Sequence, residues 1–233
     1  NSVPRSYNTV VFGNDANGFQ NRENKLLDTY FNYTKQFKSI KTDITAGYSY
    51  QEFTGDGFNS SNLRDPNTSS DIYSNTPEVL IGFFGRANFT FLEKYLLTLS
   101  YRRDGTSKFS SDNRWGNFPA AAAAWRISDE DFLKDSKVIS NLKLRASYGI
   151  TGQQEISNPG IYLSTYRFGL SNSQFLFGNQ IIQSTIPQPT NPDIKWEETA
   201  TAELGIDYGL WDNKFSGTLG VFQKNSKDLL FSS

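Results

Sequence analysis

Polar and apolar residues alternate along this chain with a period of two, in one segment after another. In Ile40-Lys41-Thr42-Asp43-Ile44-Thr45-Ala46-Gly47-Tyr48-Ser49-Tyr50 almost every even position is apolar or aromatic, and every odd position is polar or Gly. Successive side chains of a β-strand point to opposite faces, so this segment offers one face of Ile, Ala and Tyr and another of Lys, Asp, Thr and Ser. The pattern returns at Leu142-Lys143-Leu144-Arg145-Ala146-Ser147-Tyr148-Gly149-Ile150-Thr151. There Lys143 and Arg145 hold consecutive places on the polar face, which rules out burial on both sides. Strands of about ten residues with this alternation, aromatic ends and turn residues between them are the signature of an outer-membrane β-barrel.

The remaining segments extend the pattern into four hairpins. Residues 26–34 carry Leu27, Thr29, Phe31 and Tyr33 on one face, and a short turn leads into residues 39–50. Residues 79–92 reverse through Leu92-Glu93-Lys94 into a strand that places Tyr95, Leu97, Leu99 and Tyr101 outward. Residues 117–127 read as a strand despite an alanine run, because Gly116 and Pro119 oppose a helix and Trp125 and Ile127 keep the period. Ser128-Asp129-Glu130-Asp131 predicts a single capped helical turn before the strand at 141–151. The last hairpin joins Ala200–Leu210 to Phe215–Val221 through Asp212-Asn213. Long polar connections at 51–78 and 152–195 and an intermediate one at 104–114 fall on one end of these strands, and short turns on the other. Outer-membrane barrels show this asymmetry, with the long loops extracellular.

Composition narrows the function classes. With no Cys and no His among 233 residues, thiolate metal sites and the usual nucleophile and proton-transfer systems are excluded, and no enzymatic activity or cofactor is expected. A net charge of −1 gives no electrostatic reason for a nucleic-acid partner. No apolar run is long enough for a membrane helix, a test that strands of a barrel are not required to pass.

Four ordered blocks carry a family resemblance. Phe91-Leu92-Glu93-Lys94-Tyr95 through Tyr101-Arg102-Arg103-Asp104-Gly105-Thr106-Ser107-Lys108-Phe109, Arg114-Trp115-Gly116-Asn117-Phe118-Pro119 running on to Ser128, Asn141-Leu142-Lys143-Leu144-Arg145-Ala146-Ser147-Tyr148-Gly149, and Asn191-Pro192-Asp193-Ile194-Lys195-Trp196-Glu197 together resemble the barrel of SusC/RagA-type TonB-dependent transporters of the Bacteroidota. The alanines at 120–124 depart from the more mixed sequence usual there. The resemblance implies an all-β fold in which residues 1–233 supply about eight antiparallel strands of a larger barrel of about 22 strands, whose plug and remaining strands lie elsewhere. It also implies residence in the cell outer membrane, contact with its lipid, a SusD-like surface lipoprotein as partner, energy from the TonB-ExbB-ExbD system, and glycan or peptide cargo. A passive porin and a soluble carbohydrate-binding β-sandwich are the alternatives; the sandwich requires the apolar faces to be covered by a second sheet.

Each candidate binding residue has a plainer reading beside it. Arg86, Arg102, Lys143 and Arg145 face the lumen on this register, where they could meet anionic groups of a ligand, or form an ion-paired wall. Trp115 and Trp196, near loop-to-strand junctions, could stack on sugar rings or anchor at the membrane interface. Asp56, Asp65 and Asp71 share one loop but do not match the spacing of a 12-residue Ca2+ loop, so no metal site is expected. The register sends Ile44, Ala46, Leu97, Leu99, Leu144, Ala146, Leu204 and Ile206 toward lipid.

Overall fold

A computed structural model of the chain describes residues 16–61, 70–74, 77–156, 161–168 and 174–230. Its main strands are β1 (Ala16–Phe37), β2 (Ile40–Ser61), β3 (Ser70–Ser74), β4 (Glu78–Phe91), β5 (Tyr95–Thr106), β6 (Trp115–Arg126) and β7 (Ile139–Gln153). Within the long connection that follows lie β8 (Tyr166–Phe168), β9 (Gln174–Phe177), β10 (Gln180–Gln183) and β11 (Thr185–Pro187), and the chain continues in β12 (Glu197–Leu210) and β13 (Phe215–Lys227). The sheet runs β1-β2-β4-β5-β6-β7-β12-β13, with β3 paired to β2 off this path. Eight long strands therefore follow one another as an antiparallel meander, the order expected from the alternation.

The chain divides into two compact units, residues 1–25 with 52–78 and residues 26–51 with 79–233. In the first, the Lys25 ammonium donates to Glu52 at 3.1 Å and the Asn21 amide to Asp56 at 3.3 Å. β3 adds to β2 in a register from Asp56↔Ser74 to Ser60↔Ser70. The connection expected over 51–78 is thus partly strand: β2 continues to Ser61. Gln51-Glu52-Phe53-Thr54-Gly55-Asp56 carries too few apolar residues to display a face, so its strand character rests on backbone pairing.

In the second unit the register fixes the faces. Leu97 stands opposite Phe89 and Ala123, Leu144 opposite Trp125 and Ile206, and Leu204 opposite Ala146 and Val221. Opposed residues share a face, so one surface is continuously apolar. Leu99, Leu144, Leu204, Leu219 and Val221 on it are between 44% and 69% exposed. No second sheet covers this face among the described residues, and the sandwich reading fails on that observation. An uncovered apolar surface of this extent is stable only against something apolar.

The short turns lie at one end and are joined in a row by backbone hydrogen bonds. Leu92 N donates to Ser39 O at 2.7 Å, Arg126 N to Lys94 O at 2.9 Å and Trp211 N to Val138 O at 2.8 Å. Leu92 and Glu93, and Trp211, Asp212 and Asn213, take left-handed backbone angles, with φ from 50° to 61°. Such residues match the strand twist in tight hairpins, which favours Asp and Asn at 212 and 213. The helical turn expected from Ser128 is a 3-10 turn over Ile127–Asp129 preceded by Arg126, with no side-chain cap. Glu130 explains the change: its carboxylate accepts from the Tyr95 hydroxyl at 2.6 Å, the Trp125 indole at 2.9 Å and the Lys94 ammonium at 3.0 Å. Three donors from two neighbouring strands and a turn hold this residue in place, and an α-helical path would pull it away from them.

Candidate functional site

The polar face of the sheet carries the cations singled out in the sequence, and each is engaged. Arg145 on β7 pairs with Asp207 on β12 at 3.1 Å and lies 3.6 Å from Glu203. Lys143 approaches the same Asp207 at 3.7 Å, and Thr218 of β13 donates its hydroxyl to it at 3.0 Å. On β5, Arg102 pairs with Asp104 at 2.7 Å, reaches Ser49 Oγ at 3.3 Å and rests over the Phe84 ring. Arg86 donates to Asn88 Oδ1 at 3.2 Å, and Thr98 donates to the same oxygen at 2.9 Å. Asn88 in turn reaches Asp43, which accepts from Thr34 at 2.8 Å. The wall from β1 to β13 is therefore a lattice of cross-strand polar contacts. Alternation placed these side chains on one face, and the antiparallel register set their partners opposite.

The two tryptophans go to different places. Trp115 lies on the apolar face, 38% exposed, in a row with Phe83 at 6.3 Å and Tyr48, which is 5.2 Å from Phe83. A Cβ at Gly105 would stand 2.9 Å from the Trp115 ring, so Gly105 lets that ring lie across the strand. Trp196 is 6% exposed and packs edge-on against Phe109 and Phe118, with ring centroids 5.9 and 5.3 Å away. Its indole donates to the Arg114 carbonyl at 2.9 Å.

This buried cluster fills a gap in the sheet. β6 pairs with β7 only from Ala120↔Gly149 to Arg126↔Lys143, so their far ends are not paired to each other. The Phe118 ring occupies the space that a Cβ would need at either Gly116 or Gly152, and Phe109, fully buried, and Trp196 close over it. The same contacts tie the 107–114 connection to the one before β12. Ser110 and Asn113 both donate to the Pro192 carbonyl, at 3.2 and 3.3 Å, and Tyr162 donates to Ser107 O at 3.4 Å. Lys108, 6% exposed, reaches Glu155 at 3.3 Å. Two of the sequence blocks, one ending at Phe109 and one at Glu197, are thus halves of one loop core. Sequence reasoning missed it because the partners are 82 residues apart.

Within the same connection β9 and β10 form a hairpin, Leu176 opposite Ile181 and Phe175 opposite Ile182, whose apolar side chains stay exposed, 70% at both Leu176 and Ile181. Among the described residues no cluster of three or more metal-ligating side chains occurs, and Asp65 lies outside them. Asp56 hydrogen-bonds Asn21.

Comparison with known proteins gives this geometry a family. The model of the TonB dependent receptor-like β-barrel matches residues 1–233. The TonB-dependent receptor SusC of Bacteroides thetaiotaomicron is 35% identical over 98% of the chain, which covers 24% of that protein. The TonB-dependent receptor P3 of Formosa agariphila is 32% identical over 96% of the chain, again 24% of its length. The chain thus spans about a quarter of the curated relatives it matches. Among solved structures, the RagAB peptide importer in its closed-closed state superposes over 93% of the chain and 25% of its own, with a TM-score of 0.80 at 21% identity. The same importer in its open-open state gives a TM-score of 0.79 at 20% identity over 91% of the chain and 24% of its own. That likeness establishes the fold; the family match and the 35% identity to SusC place the strands in the outer membrane, where the apolar belt meets lipid. With its eight-stranded meander, ion-paired polar wall and full-length family match, this chain belongs to the TonB-dependent receptors of the outer membrane, as part of their β-barrel.

Proposed function

We propose that the barrel containing these strands imports an oligomeric nutrient, a glycan or a peptide, across the outer membrane, coupled through TonB-ExbB-ExbD and working with a SusD-like surface lipoprotein. The observation that carries this reading is the match of the whole chain to the TonB-dependent receptor barrel together with 35% identity to SusC. The RagAB importer, whose fold this chain shares, takes peptides, which keeps both cargo classes in view. Each long connection contributes to the extracellular side, and the cluster of Phe109, Phe118 and Trp196 anchors the connection that precedes β12. Arg102 and Arg145, ion-paired on the wall, and Arg86, hydrogen-bonded to Asn88, serve as lining of the lumen rather than as cargo ligands, since each already holds a partner there. Trp196 supports the loops from within, because its ring is enclosed.

The test is uptake by a strain dependent on the full-length protein. Uptake of the labelled cognate oligosaccharide or peptide should stop when the gene is deleted or when the proton-motive force that drives TonB is dissipated. Uptake that survives loss of the proton-motive force, in a strain without paralogues, establishes a passive porin instead.

A further inference from the structure

Near the long connections the apolar face carries a cation, Arg103, that the lumen wall does not explain. On β5 the outward series Tyr95, Leu97, Leu99, Tyr101 ends in Arg103, opposite Phe83 on β4 and Asn117 on β6. Among the described residues Arg103 makes no ion pair; its guanidinium rests 5.2 Å from the centre of the Trp115 ring. Asn117, directly opposite, is held from the other side, the Tyr101 hydroxyl donating to its Oδ1 at 2.7 Å. Its amide nitrogen has no acceptor among the described residues. Two hydrogen-bond donors thus stand side by side on the lipid-facing surface, without an acid, at the end of the strands where the long connections emerge.

A charged side chain on that surface lies where a headgroup can meet it, its stem along apolar surface and its guanidinium at the interface. Tyr48, Phe83 and Trp115 form an aromatic row at this level, and Gly105 leaves the room that the Trp115 ring requires. The planar guanidinium presents donors in a fork that suits phosphate oxygens, and the ring beneath it limits its rotation. The neighbouring amide supplies a further donor in the same direction. We propose that Arg103 and Asn117 bind the phosphate of an outer-leaflet lipid headgroup, with Trp115 as the shelf that orients the arginine. A free phosphate ion has no acyl chains to hold against the belt below Tyr101, which favours the lipid as the source. The inference rests on the outer-membrane location and on the long loops being extracellular; the cargo does not enter it.

The experiment uses the full-length protein in phosphatidylcholine nanodiscs, with diphosphorylated lipid A as the probe and binding read by native mass spectrometry. Lipid A should bind the native protein and bind Arg103→Gln at least tenfold more weakly, with Arg103→Lys between them. Asn117→Ala should show a smaller loss and provides a second variant if Arg103→Gln fails to fold. Dephosphorylated lipid A should bind the native protein and the three variants equally and weakly. Native affinity for lipid A in both Arg103→Gln and Asn117→Ala overturns the proposal. So does binding of the dephosphorylated lipid to the native protein as tight as that of diphosphorylated lipid A, and so does full displacement by millimolar inorganic phosphate, which assigns the site to the free ion. No cargo is present, so failure here leaves the import reading intact, and loss of the import reading leaves this site standing.

Discussion

Replacing Leu204 by Arg should destabilise the barrel, whereas the same change three residues earlier, at Thr201, should not. Leu204 sits near the middle of the 14-residue β12, 58% exposed on the apolar face and flanked by Ala146 and Val221. A strand rises about 3.4 Å per residue, so at a tilt of about 40° each residue gains about 2.6 Å of height. An apolar band of about 25 Å is then crossed by about ten residues, and Leu204 lies within a residue or two of its midplane. Neither Ala146 nor Val221 can pair with a guanidinium there. Leu204→Arg should therefore cost about 2 to 4 kcal/mol, a change of roughly 30- to 900-fold in the folding equilibrium. At Leu210, where β12 meets its turn, the cost should fall to about 0 to 1 kcal/mol. Thr201 shares the polar face with Gly149, its partner on β7, and Thr201→Arg should be near neutral because that face is wet. The assay is urea unfolding of the full-length protein in phospholipid vesicles, followed by tryptophan fluorescence, with midpoint and slope fitted separately. If Thr201→Arg costs as much as Leu204→Arg, the assignment of the two faces is wrong, and the membrane reading of the belt goes with it.

Glu130 is held down to about 2, against an ordinary value of 4.5, first by the Tyr95 hydroxyl and then by the Trp125 indole and the Lys94 ammonium. A lowered carboxylate stabilises the folded state fully above its unfolded value, so its contribution to the turn should be complete above about pH 4.5 and vanish as pH falls through about 2. Amide exchange in residues 127–138 should accelerate over that window in the native protein and be insensitive to it in Glu130→Gln. Trp196→Ala should cost the loop core about 3 to 5 kcal/mol and open the 188–196 segment to protease while the strands stay intact; unchanged protection alongside weakened cargo binding would instead make Trp196 a ligand contact. Gly152→Ala should displace the Phe118 ring and cost about 1 to 3 kcal/mol, an effect that Phe118→Leu in the same chain should reduce. Deleting the β9–β10 hairpin should weaken uptake or lipoprotein docking and leave unfolding unchanged; unaltered growth on every oligosaccharide and peptide source would remove the hairpin from the mouth.

The faces of the sheet were readable because a period of two survives wherever one side meets lipid. Leu97, Leu144 and Leu204 fall on the apolar face from spacing alone, and the register places Arg102 and Arg145 across from it. The pattern fades where both sides are wet, and for that reason β2 beyond Gln51 and the strands β8 to β11 read as loop. The loop core was illegible for a different reason. Trp196 and Phe109 sit among Asn, Pro, Ser and Gly, and nothing local says that their rings meet across the end of the sheet. Ser128 misled through a sound local rule: its acidic neighbours fit a helix start, but Tyr95 and Trp125, which bind Glu130, come from the sheet.

The seam between β7 and β12 bears on how the sheet zips together. Other neighbouring strands of the path are joined by modest connections such as residues 127–138, and each can add to the growing edge almost as soon as it is made. Closing residues 154–196 costs about 1 kcal/mol more in loop entropy than closing 127–138, and β12 must search for its edge while β13 waits behind it. Trp196 immediately precedes the first residue of β12, and its indole engages Arg114 at the head of β6, a strand already in place. Docking of that ring brings Glu197 to its place opposite Gln153, the first pair of the β7–β12 ladder. If the loop core forms first it works as a starter clasp, and a barrel lacking it should then assemble with its slowest step at this seam.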